Sequence, residues 1–268
     1  MQCISFEKFL PKGATRPFIS MAEDRCLYVI KAHGNPLGLK VLFNEYITGV
    51  LANEIGLNWP NVRIVQLSQR VIDELDRNNF RVISKWAVAI EYIRSLQEIK
   101  WPPTNVNCLD SKFKEINAQH ILKIFPDERN QDGFYGKSIL DNWLLIRDTT
   151  YDTLHKTIDG KPMFLDASDA LGGIEWDENK LTFSHIFFET APYLSGFNFK
   201  MNKFEPWLDK IEQISVSTYN FILNSLPDEW DVPSQFIKHT KNYLLSTNKS
   251  FLNKFKERIE FEVLSKIL

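Results

Sequence analysis

The sequence predicts an α+β fold of two lobes, with a small, mostly antiparallel β-rich N-terminal lobe that carries one helix and a mainly helical C-terminal lobe. Three observations predict it. The first third of the chain contains short runs of β-branched and aromatic residues around one long segment of helical periodicity. A polar, proline-bearing stretch, Lys100–Asp110, then interrupts the pattern. Beyond it, apolar residues recur mostly three and four positions apart, so we place the lobes at 1–99 and 100–268.

The N-terminal lobe starts with two predicted strands, Pro17–Ser20 and Arg25–Ala32, which are rich in aromatic and β-branched residues. The polar run Ala22-Glu23-Asp24 between them has the composition of a turn, so the two strands should pair antiparallel. Lys31 lies at the end of the second strand.

One long helix is predicted at Leu39–Ile55, because apolar residues recur there at helical spacing and Gly56 provides a C-terminal stop. After a turn at Trp59-Pro60, Val62–Leu67 and Arg81–Tyr92 return to strand composition. A small, mostly antiparallel sheet with one helix follows.

The C-terminal lobe is predicted to be mainly helical. Apolar residues at helical spacing indicate helices in the segments Ile116–Phe125, Lys137–Arg147, Phe204–Leu226, Pro233–Ser246 and Ser250–Ile267. Pro227 and the run Thr247-Asn248-Lys249 are expected to separate the last three. A short strand, Lys161–Leu165, is expected to end at Asp166.

Composition and charge exclude several classes of protein. Hydrophobic residues make up 44% of the chain, which indicates an ordered globular protein. The 32 basic and 34 acidic residues leave a net charge of −2, so bulk electrostatics favour neither nucleic acid nor a membrane surface as a partner. Three cysteines without a CxxC pair fit a reducing compartment, and Met1–Leu10 lacks the features of a signal peptide. We therefore expect a cytoplasmic protein.

The first candidate for a binding site is the segment Gly13-Ala14-Thr15-Arg16-Pro17. Backbone N–H groups in a glycine-containing turn can bind phosphate oxygens without side-chain bulk, and Gly13 with Thr15 can supply them. The alternative is a plain turn before a strand, which is the commoner use of glycine in this position.

Lys31 and Glu45 form the second candidate. Lys31 follows Tyr28-Val29-Ile30 on a strand, from which a compact ammonium group can reach phosphate oxygens. Glu45 lies in the first turns of the next helix, where it can pair with Lys31 and fix its direction. The alternative is a solvated lysine at the end of a strand.

Asp148 and Asp166 are the candidate catalytic and metal-binding carboxylates. Each follows a regular element, and phosphoryl transfer needs one carboxylate to orient the acceptor hydroxyl and another to hold Mg²⁺. The alternative is that either aspartate caps a helix or a turn. The order of a glycine loop, a strand lysine, a helix glutamate and two late aspartates is the layout of a protein-kinase-like site for ATP.

Two other segments have weaker signals. Ala89–Ile93, with Glu91 and Tyr92, resembles a strand-to-linker segment whose backbone receives an adenine edge, although a buried strand is the alternative. The aromatic-rich segment Phe183–Phe197 is more typical of core packing than of a ligand cage. The histidines have no metal-ligand spacing, so a metal should be held by oxygen.

Together these motifs resemble the HipA-like kinase family, the bacterial serine/threonine kinases related to toxin HipA, and in particular its short stand-alone members. The resemblance covers nearly the whole chain. It is carried by Gly13-Ala14-Thr15-Arg16-Pro17, Val29-Ile30-Lys31, Gly38, Leu42, Asn44-Glu45-Tyr46, Leu51-Ala52, Gly56-Leu57, Pro60 and Leu226-Pro227-Asp228-Glu229-Trp230.

The resemblance implies a role for each candidate residue and implies ATP and Mg²⁺ as cofactors. Phosphate and adenine contacts would come from Gly13, Ala14, Thr15, Arg16, Lys31, Glu91 and Tyr92, with Glu45 supporting Lys31. Asp148 would be the catalytic aspartate and Asp166 the magnesium ligand.

The chain departs from the family pattern after Asp148. Such kinases carry an arginine next to this aspartate and an asparagine five positions beyond it, whereas this chain has Thr149 and Thr153 there. Thr153 therefore takes the place of a second metal ligand, and its hydroxyl is a poorer magnesium ligand than an amide oxygen. The missing arginine removes a charge-assisted contact.

Three functions remain open at this point. The first is a kinase that transfers the γ-phosphoryl group of ATP to a hydroxyl, with a protein serine or threonine as the expected acceptor. The second, favoured by Thr149 and Thr153, is a pseudokinase or nucleotide-binding module that acts by contacting a partner protein. The third is a small-molecule phosphotransferase on the same architecture.

Overall fold

In the computed structural model of the protein, the described residues are 1–100, 119–146, 153–181 and 201–265. Five strands of the N-terminal part close into a barrel in the order β1-β2-β3-β5-β4, which we call the N-terminal barrel. They are β1 (Gln2–Phe9), β2 (Phe18–Ala22), β3 (Leu27–Ala32), β4 (Val62–Leu67) and β5 (Trp86–Glu91). The predicted strands before and after the first helix are therefore present, although Arg81–Tyr92 becomes a strand only from Trp86.

The barrel closes because β1, which the sequence did not reveal, pairs with strands on both sides. It is antiparallel to β2 and parallel to β4, where Gln2 and Cys3 face Gln66 and Leu67. Closure leaves no unpaired edge strand. The interior is filled by aromatic rings, among which Phe18 has its ring centroid 6.3 Å from that of Phe80.

Two helices accompany the barrel, whereas one was predicted. Helix α1 (Leu39–Glu54) matches the prediction, and Gly56 beyond it has a positive φ of 73° that suits a helix stop. Helix α2 (Gln69–Arg77) was not predicted, because only Val71 and Leu75 of its nine residues are buried. Its N-terminus is capped by Ser68, whose hydroxyl accepts a hydrogen bond from the Val71 N–H.

A second, three-stranded sheet carries the segment that leads to Asp166. Its strands are β6 (Gln97–Glu98), β7 (Leu154–Lys156) and β8 (Pro162–Phe164), in that order. The predicted short strand before Asp166 is thus confirmed as β8, and β7 and β8 form an antiparallel hairpin in which Leu154 faces Phe164.

The C-terminal part is mainly helical in its described residues. The helices are the described part of α3 at 119–124, α4 (Glu128–Trp143), α5 (Met201–Glu212), α6 (Val216–Asn224) and α7 (Ser234–Ser265). No helix among the described residues combines the length and apolar character needed to cross a membrane.

Three of the predicted helix boundaries were wrong. Helix α4 starts at Glu128 rather than Lys137, since Asp127 caps it through the Arg129 N–H. The single predicted helix Phe204–Leu226 is two helices, and the Ser215 hydroxyl caps the second by accepting from the Thr218 N–H. Helix α7 continues through Thr247-Asn248-Lys249, because polar residues without glycine or proline do not end a helix.

Candidate functional site

Lys31 lies on the outer face of the N-terminal barrel. On β3 the side chains alternate, so that Tyr28, Ile30 and Ala32 pack in the barrel core while Lys31 points to the opposite side, toward α1. The Lys31 side chain is only 8% exposed. A lysine in this position needs acceptors for its ammonium group, because an unpaired buried charge is costly.

Three acceptors surround the Lys31 ammonium nitrogen. Nζ lies 2.5 Å from Glu45 Oε1, 3.2 Å from Asp166 Oδ1 and 3.3 Å from Ser168 Oγ. A lysine ammonium has three N–H donors, so these contacts account for all of them. We call Lys31, Glu45, Asp166 and Ser168 the lysine–carboxylate cluster. The predicted pairing of Lys31 with Glu45 is present, and the structure brings both residues together with Asp166.

Asp166 enters the cluster from the end of β8. Its φ of 66° lies in the left-handed region, which aspartate tolerates better than most residues. Its Oδ1 also accepts hydrogen bonds from the Ser168 N–H at 3.1 Å and from the Ser168 hydroxyl at 2.5 Å. The side chain is 48% exposed, so the cluster has one closed side at Glu45 and one open side at Asp166.

The ionisation of the cluster follows from its burial. Burial raises the pKa of Glu45 to about 7, although Lys31 opposes the rise. Burial alone would also raise the pKa of Asp166, but Lys31 and the hydrogen bonds from its neighbours hold it well below its usual range. For Lys31, burial is outweighed by the two carboxylates, and its pKa lies above the ordinary value. Asp166 is therefore the ionised carboxylate that faces solvent.

Ser168 was not predicted as a site residue, yet its hydroxyl connects the two carboxylates. Besides Asp166 and Lys31, it contacts Glu45 Oε1 at 2.9 Å, and the Ala167 N–H donates to the same glutamate oxygen at 3.1 Å. A serine two residues after an aspartate is a common local turn pattern, so the sequence signal alone does not separate this role from a turn.

Lys40 and Asn44 on α1 were also missed as contacts of the segment that follows Asp166. Asn44 Nδ2 donates to the carbonyl oxygens of Ser168 at 2.7 Å and Gly173 at 3.0 Å. Lys40 Nζ donates to Asn44 Oδ1 at 2.5 Å and to the Leu171 carbonyl at 3.2 Å. The sequence offered only two polar residues one helical turn apart, which is common on a solvent-exposed helix face. The structure shows that α1 is instead buried on most faces.

Backbone strain gathers around the same segment. Leu145 and Leu171 have φ values of 57° and 53°, which a leucine rarely adopts, and the Leu171 N–H donates to the Leu144 carbonyl at 2.7 Å. Such strain persists only where the surrounding structure holds it, and it is frequent at functional sites. Leu145 lies three positions before Asp148 in the sequence.

The predicted phosphate loop is the connection between β1 and β2. It contains a turn in which the Arg16 N–H donates to the Gly13 carbonyl at 3.0 Å. Gly13 has a φ of 117°, and a Cβ there would lie 2.9 Å from the Pro17 ring. The Arg16 guanidinium donates to the Asn79 carbonyl at 3.0 Å and lies over the Phe9 and Phe80 rings, so in this conformation its side chain supports the barrel. Ala14 and Thr15 belong to the same turn.

Glu91 is the last residue of β5, the strand that pairs with the Lys31 strand β3, and Tyr92 follows it. The Glu91 N–H donates to the Asn61 carbonyl at 2.9 Å, and the Tyr92 N–H donates to the Leu27 carbonyl at 3.0 Å. Both N–H groups therefore already donate backbone hydrogen bonds within the protein. Their predicted place beside adenine stays a prediction, and it requires contacts other than these two N–H groups.

Of the remaining predicted residues, some lie among the described residues and others do not. Asp148 and Thr149 lie outside the described residues, as does the aromatic segment Phe183–Phe197. Thr153 is described, and its carbonyl accepts a hydrogen bond from the Leu165 N–H at 2.8 Å. Thr153 and Asp166 therefore lie at the same end of the β7–β8 hairpin.

The donor set around Asp166 fits a magnesium ion that is shared with phosphates. Its hydrogen bonds within the described residues all end on Oδ1, which leaves Oδ2 without a protein partner there. Among the described residues, no group of three or more histidine, cysteine or acidic side chains could hold a metal by itself. Mg²⁺ in nucleotide sites is typically held by one or two carboxylates together with phosphate oxygens and water.

Comparison with known proteins gives one matching family model and similar folds among solved structures. Residues 4–118 match the family model described as HipA-like kinase. The Helicobacter pylori proinflammatory kinase CtkA is 13% identical, and its crystal structure matches over 98% of this chain and 99% of CtkA with a TM-score of 0.58. HipA, in the Shewanella oneidensis MR-1 toxin–antitoxin complex with HipB and operator DNA, is also 13% identical, and the match covers 94% of this chain and 68% of HipA with a TM-score of 0.53.

No curated protein matches the chain in sequence. At 13% identity the two structural matches establish a similar fold and no more. The family model is a match in sequence, and it covers residues 4–118. The predicted resemblance to the HipA-like kinase family is therefore confirmed, since the family model matches residues 4–118 and the fold is similar to the kinase CtkA and to HipA.

Proposed function

We propose that the protein is an ATP- and Mg²⁺-dependent kinase that transfers the γ-phosphoryl group to a hydroxyl, with a protein serine or threonine as the acceptor. The observation that carries the proposal is the lysine–carboxylate cluster, in which Lys31 Nζ lies 2.5 Å from Glu45 and 3.2 Å from Asp166. In protein kinases, a lysine of the third strand is held by a helix glutamate beside an aspartate that binds Mg²⁺.

In this proposal Glu45 directs the Lys31 ammonium group, and Lys31 binds the phosphates. Glu45 is 1% exposed, so its carboxylate is fixed, and it limits the positions that Nζ can take. A fixed ammonium group stabilises the negative charge that develops on the transferred phosphoryl group without reorganising in the reaction. The backbone N–H groups of the Gly13–Arg16 turn would add contacts to the same phosphates.

Asp166 would hold Mg²⁺ through its exposed side, with Thr153 as a candidate second contact at the same end of the hairpin. When bound, the ion neutralises phosphate charge. Asp148 would accept the proton of the acceptor hydroxyl, and ATP would lie between a lobe of residues 1–99 and a lobe of residues 100–268.

The test is phosphoryl transfer from γ-labelled ATP in the presence of Mg²⁺, with the protein alone and with a cell extract of its host. We expect label on protein serine or threonine with the wild type, and a loss of about 10²–10³-fold in Lys31→Met, because the variant lacks one charge-stabilising donor. Asp148→Ala should also abolish transfer while leaving ATP binding in place. Transfer that persists in both variants would contradict the proposal.

A second candidate function is a nucleotide-binding module that acts through a partner protein. Thr149 and Thr153 favour it, since they replace the arginine and asparagine expected after the catalytic aspartate. The same experiment separates the two functions. A wild type that transfers no label, yet melts at a higher temperature when ATP and Mg²⁺ are added, would support the binding module instead of the kinase.

A further inference from the structure

The segment from Asp166 to Gly173, which we call the aspartate segment, is attached to helix α1 by side-chain hydrogen bonds, in addition to the turns that it forms within itself. Glu45 accepts from the Ala167 N–H, and Asn44 donates both of its amide N–H groups to Ser168 and Gly173 carbonyls. Asn44 is fully buried, and its two acceptors are 124 and 129 residues away in the chain. Both N–H donors of the buried Asn44 amide are thus bonded to the aspartate segment.

Lys40 completes this attachment one helical turn earlier. Its ammonium group donates to Asn44 Oδ1, which orients the amide so that Nδ2 faces the aspartate segment, and also to the Leu171 carbonyl. It lies over three aromatic rings that pack on one another, with Nζ 5.4 Å from the centroid of Phe43, 5.6 Å from Trp176 and 4.7 Å from Phe236. Burial lowers the pKa of Lys40 to about 7, so the ammonium form is held at a cost that its contacts must offset.

We propose that Lys40 and Asn44 are positioning residues, which hold the aspartate segment on α1 and thereby keep Asp166 facing Lys31. We call the pair the α1 clamp. Since Lys31, Asn44 and Glu45 contact the aspartate segment from two adjacent elements, detaching the clamp would free Asp166 to move away from the phosphate-binding lysine. The effect of the clamp on catalysis rests on the proposed kinase function, whereas its hold on the aspartate segment does not.

The experiment compares Asn44→Leu and Lys40→Met with Asn53→Leu as a matched control. Asn53 is also on α1, and its amide also donates to two carbonyl oxygens, those of Gly49 at 2.8 Å and Pro60 at 3.2 Å, neither of which belongs to the aspartate segment. Asn→Leu keeps the number of side-chain heavy atoms and replaces the amide by two methyl groups, and Lys40→Met removes the ammonium group. Melting temperatures first establish that each variant is folded.

Hydrogen–deuterium exchange of the peptide covering 166–173 is the direct readout, because the N–H groups of Ala167, Ala170, Leu171 and Gly173 all donate hydrogen bonds there. We expect exchange about tenfold faster in both clamp variants and a change below about threefold in Asn53→Leu. Unchanged exchange in Lys40→Met and Asn44→Leu, or an equal increase in Asn53→Leu, would overturn the proposal. If Asn44→Leu does not fold, Lys40→Met decides the result.

A second readout separates the clamp from the proposed function. The affinity for ATP is measured with and without Mg²⁺, and the gain due to Mg²⁺ should fall about tenfold in the clamp variants but not in Asn53→Leu. A gain that the clamp variants retain in full would contradict the positioning role. A wild type that binds no ATP at all would contradict the proposed kinase, and the exchange measurement would still decide whether the clamp exists.

Discussion

The part of the chain that the structure describes contains two buried lysine–carboxylate groupings, and they differ in how far they are open to solvent. Lys137 and Asp141 on α4 form an ion pair within a single helix, four residues apart, with side chains that are 1% and 0% exposed. The lysine–carboxylate cluster joins β3, α1 and the segment after β8, and its Asp166 is 48% exposed. The α4 pair is closed to solvent, whereas the cluster is open to solvent at Asp166.

The difference teaches that burial of a charged pair does not by itself indicate a functional site. A closed pair must have its charges satisfied by the fold in every state. An open cluster keeps one ionised carboxylate within reach of solvent, and the proposed function requires this access for phosphate and metal contacts. The two groupings also differ in the sequence separation of their members. Lys31 and Asp166 are 135 residues apart, whereas Lys137 and Asp141 are one helical turn apart.

The largest expected effect is on stability, and it tests this division directly. Lys137→Met should lower the free energy of unfolding by about 3–5 kcal/mol, because it breaks a buried ion pair by removing one of its two members. Lys31→Met should cost roughly half as much, since Asp166 is half exposed and Glu45 can take up a proton. Urea unfolding of both variants against the wild type measures the two losses. Equal losses would show that the open side of the cluster has no energetic consequence.

The next effect concerns the pH dependence of stability and involves Glu45. Its pKa rises from 4.5 to about 7 on folding, so the folded protein binds a proton that the unfolded chain releases between these values. The stability contributed by this proton is fully present below pH 4.5 and is lost as the pH rises through about 7. A rise of about 2.5 in the pKa, at about 1.4 kcal/mol for each unit, corresponds to roughly 3–4 kcal/mol.

Glu45→Gln removes this titration, so the variant is the reference against which the free energy of unfolding of the wild type is compared at each pH. The free energy of unfolding of the wild type, minus that of Glu45→Gln, should fall as the pH is raised from 4.5 to 7 and then level off. Taking the difference largely cancels the titration of groups far from the cluster. A difference that stays constant with pH, or that rises, would mean that Glu45 is ionised throughout and that the cluster carries a net negative charge at all of these pH values.

Much of the site could be predicted from short segments, for a physical reason. The strand that carries Lys31, helix α1 with Glu45 and the short strand before Asp166 are each defined by local periodicity and by local stop signals. The chemistry of the predicted site then limited the choice of residues, because phosphates need a cationic side chain and Mg²⁺ needs carboxylate ligands. The convergence of Lys31 with Asp166 followed from the order of these motifs rather than from any local pattern.

The parts that could not be predicted depend on contacts between distant residues. Strand β1 contributes to a barrel only because it pairs with both β2 and β4, and nothing within residues 2–9 specifies two partners. Lys40 and Asn44 have the sequence pattern of polar positions on a helix, and only the arrival of the aspartate segment more than 120 residues later gives them acceptors. The break expected in α7 failed because a polar run is compatible with a helix when it lacks glycine and proline.

The smallest effect is expected for a substitution of Ser168. It tests whether the hydroxyl of this residue fixes the direction of the Asp166 carboxylate. Ser168→Ala removes contacts of 2.5 Å to Asp166 and 2.9 Å to Glu45, and a hydrogen bond to a charged group contributes about 1.5–3 kcal/mol. We expect Mg²⁺-dependent ATP affinity to fall about tenfold in Ser168→Ala, because the direction of the Asp166 carboxylate is no longer fixed. Ser168→Thr keeps the hydroxyl and should restore most of the affinity.

The matched control for this substitution lies beside the closed pair. Ser138 is a buried serine on α4 whose hydroxyl has no hydrogen-bond partner among the described residues, so Ser138→Ala removes the same atom without removing a contact. Isothermal titration with ATP, at fixed Mg²⁺, should give wild-type affinity for Ser138→Ala. If Ser168→Ala also binds like the wild type, the serine is only part of a turn, and the cluster that distinguishes the open site reduces to Lys31, Glu45 and Asp166.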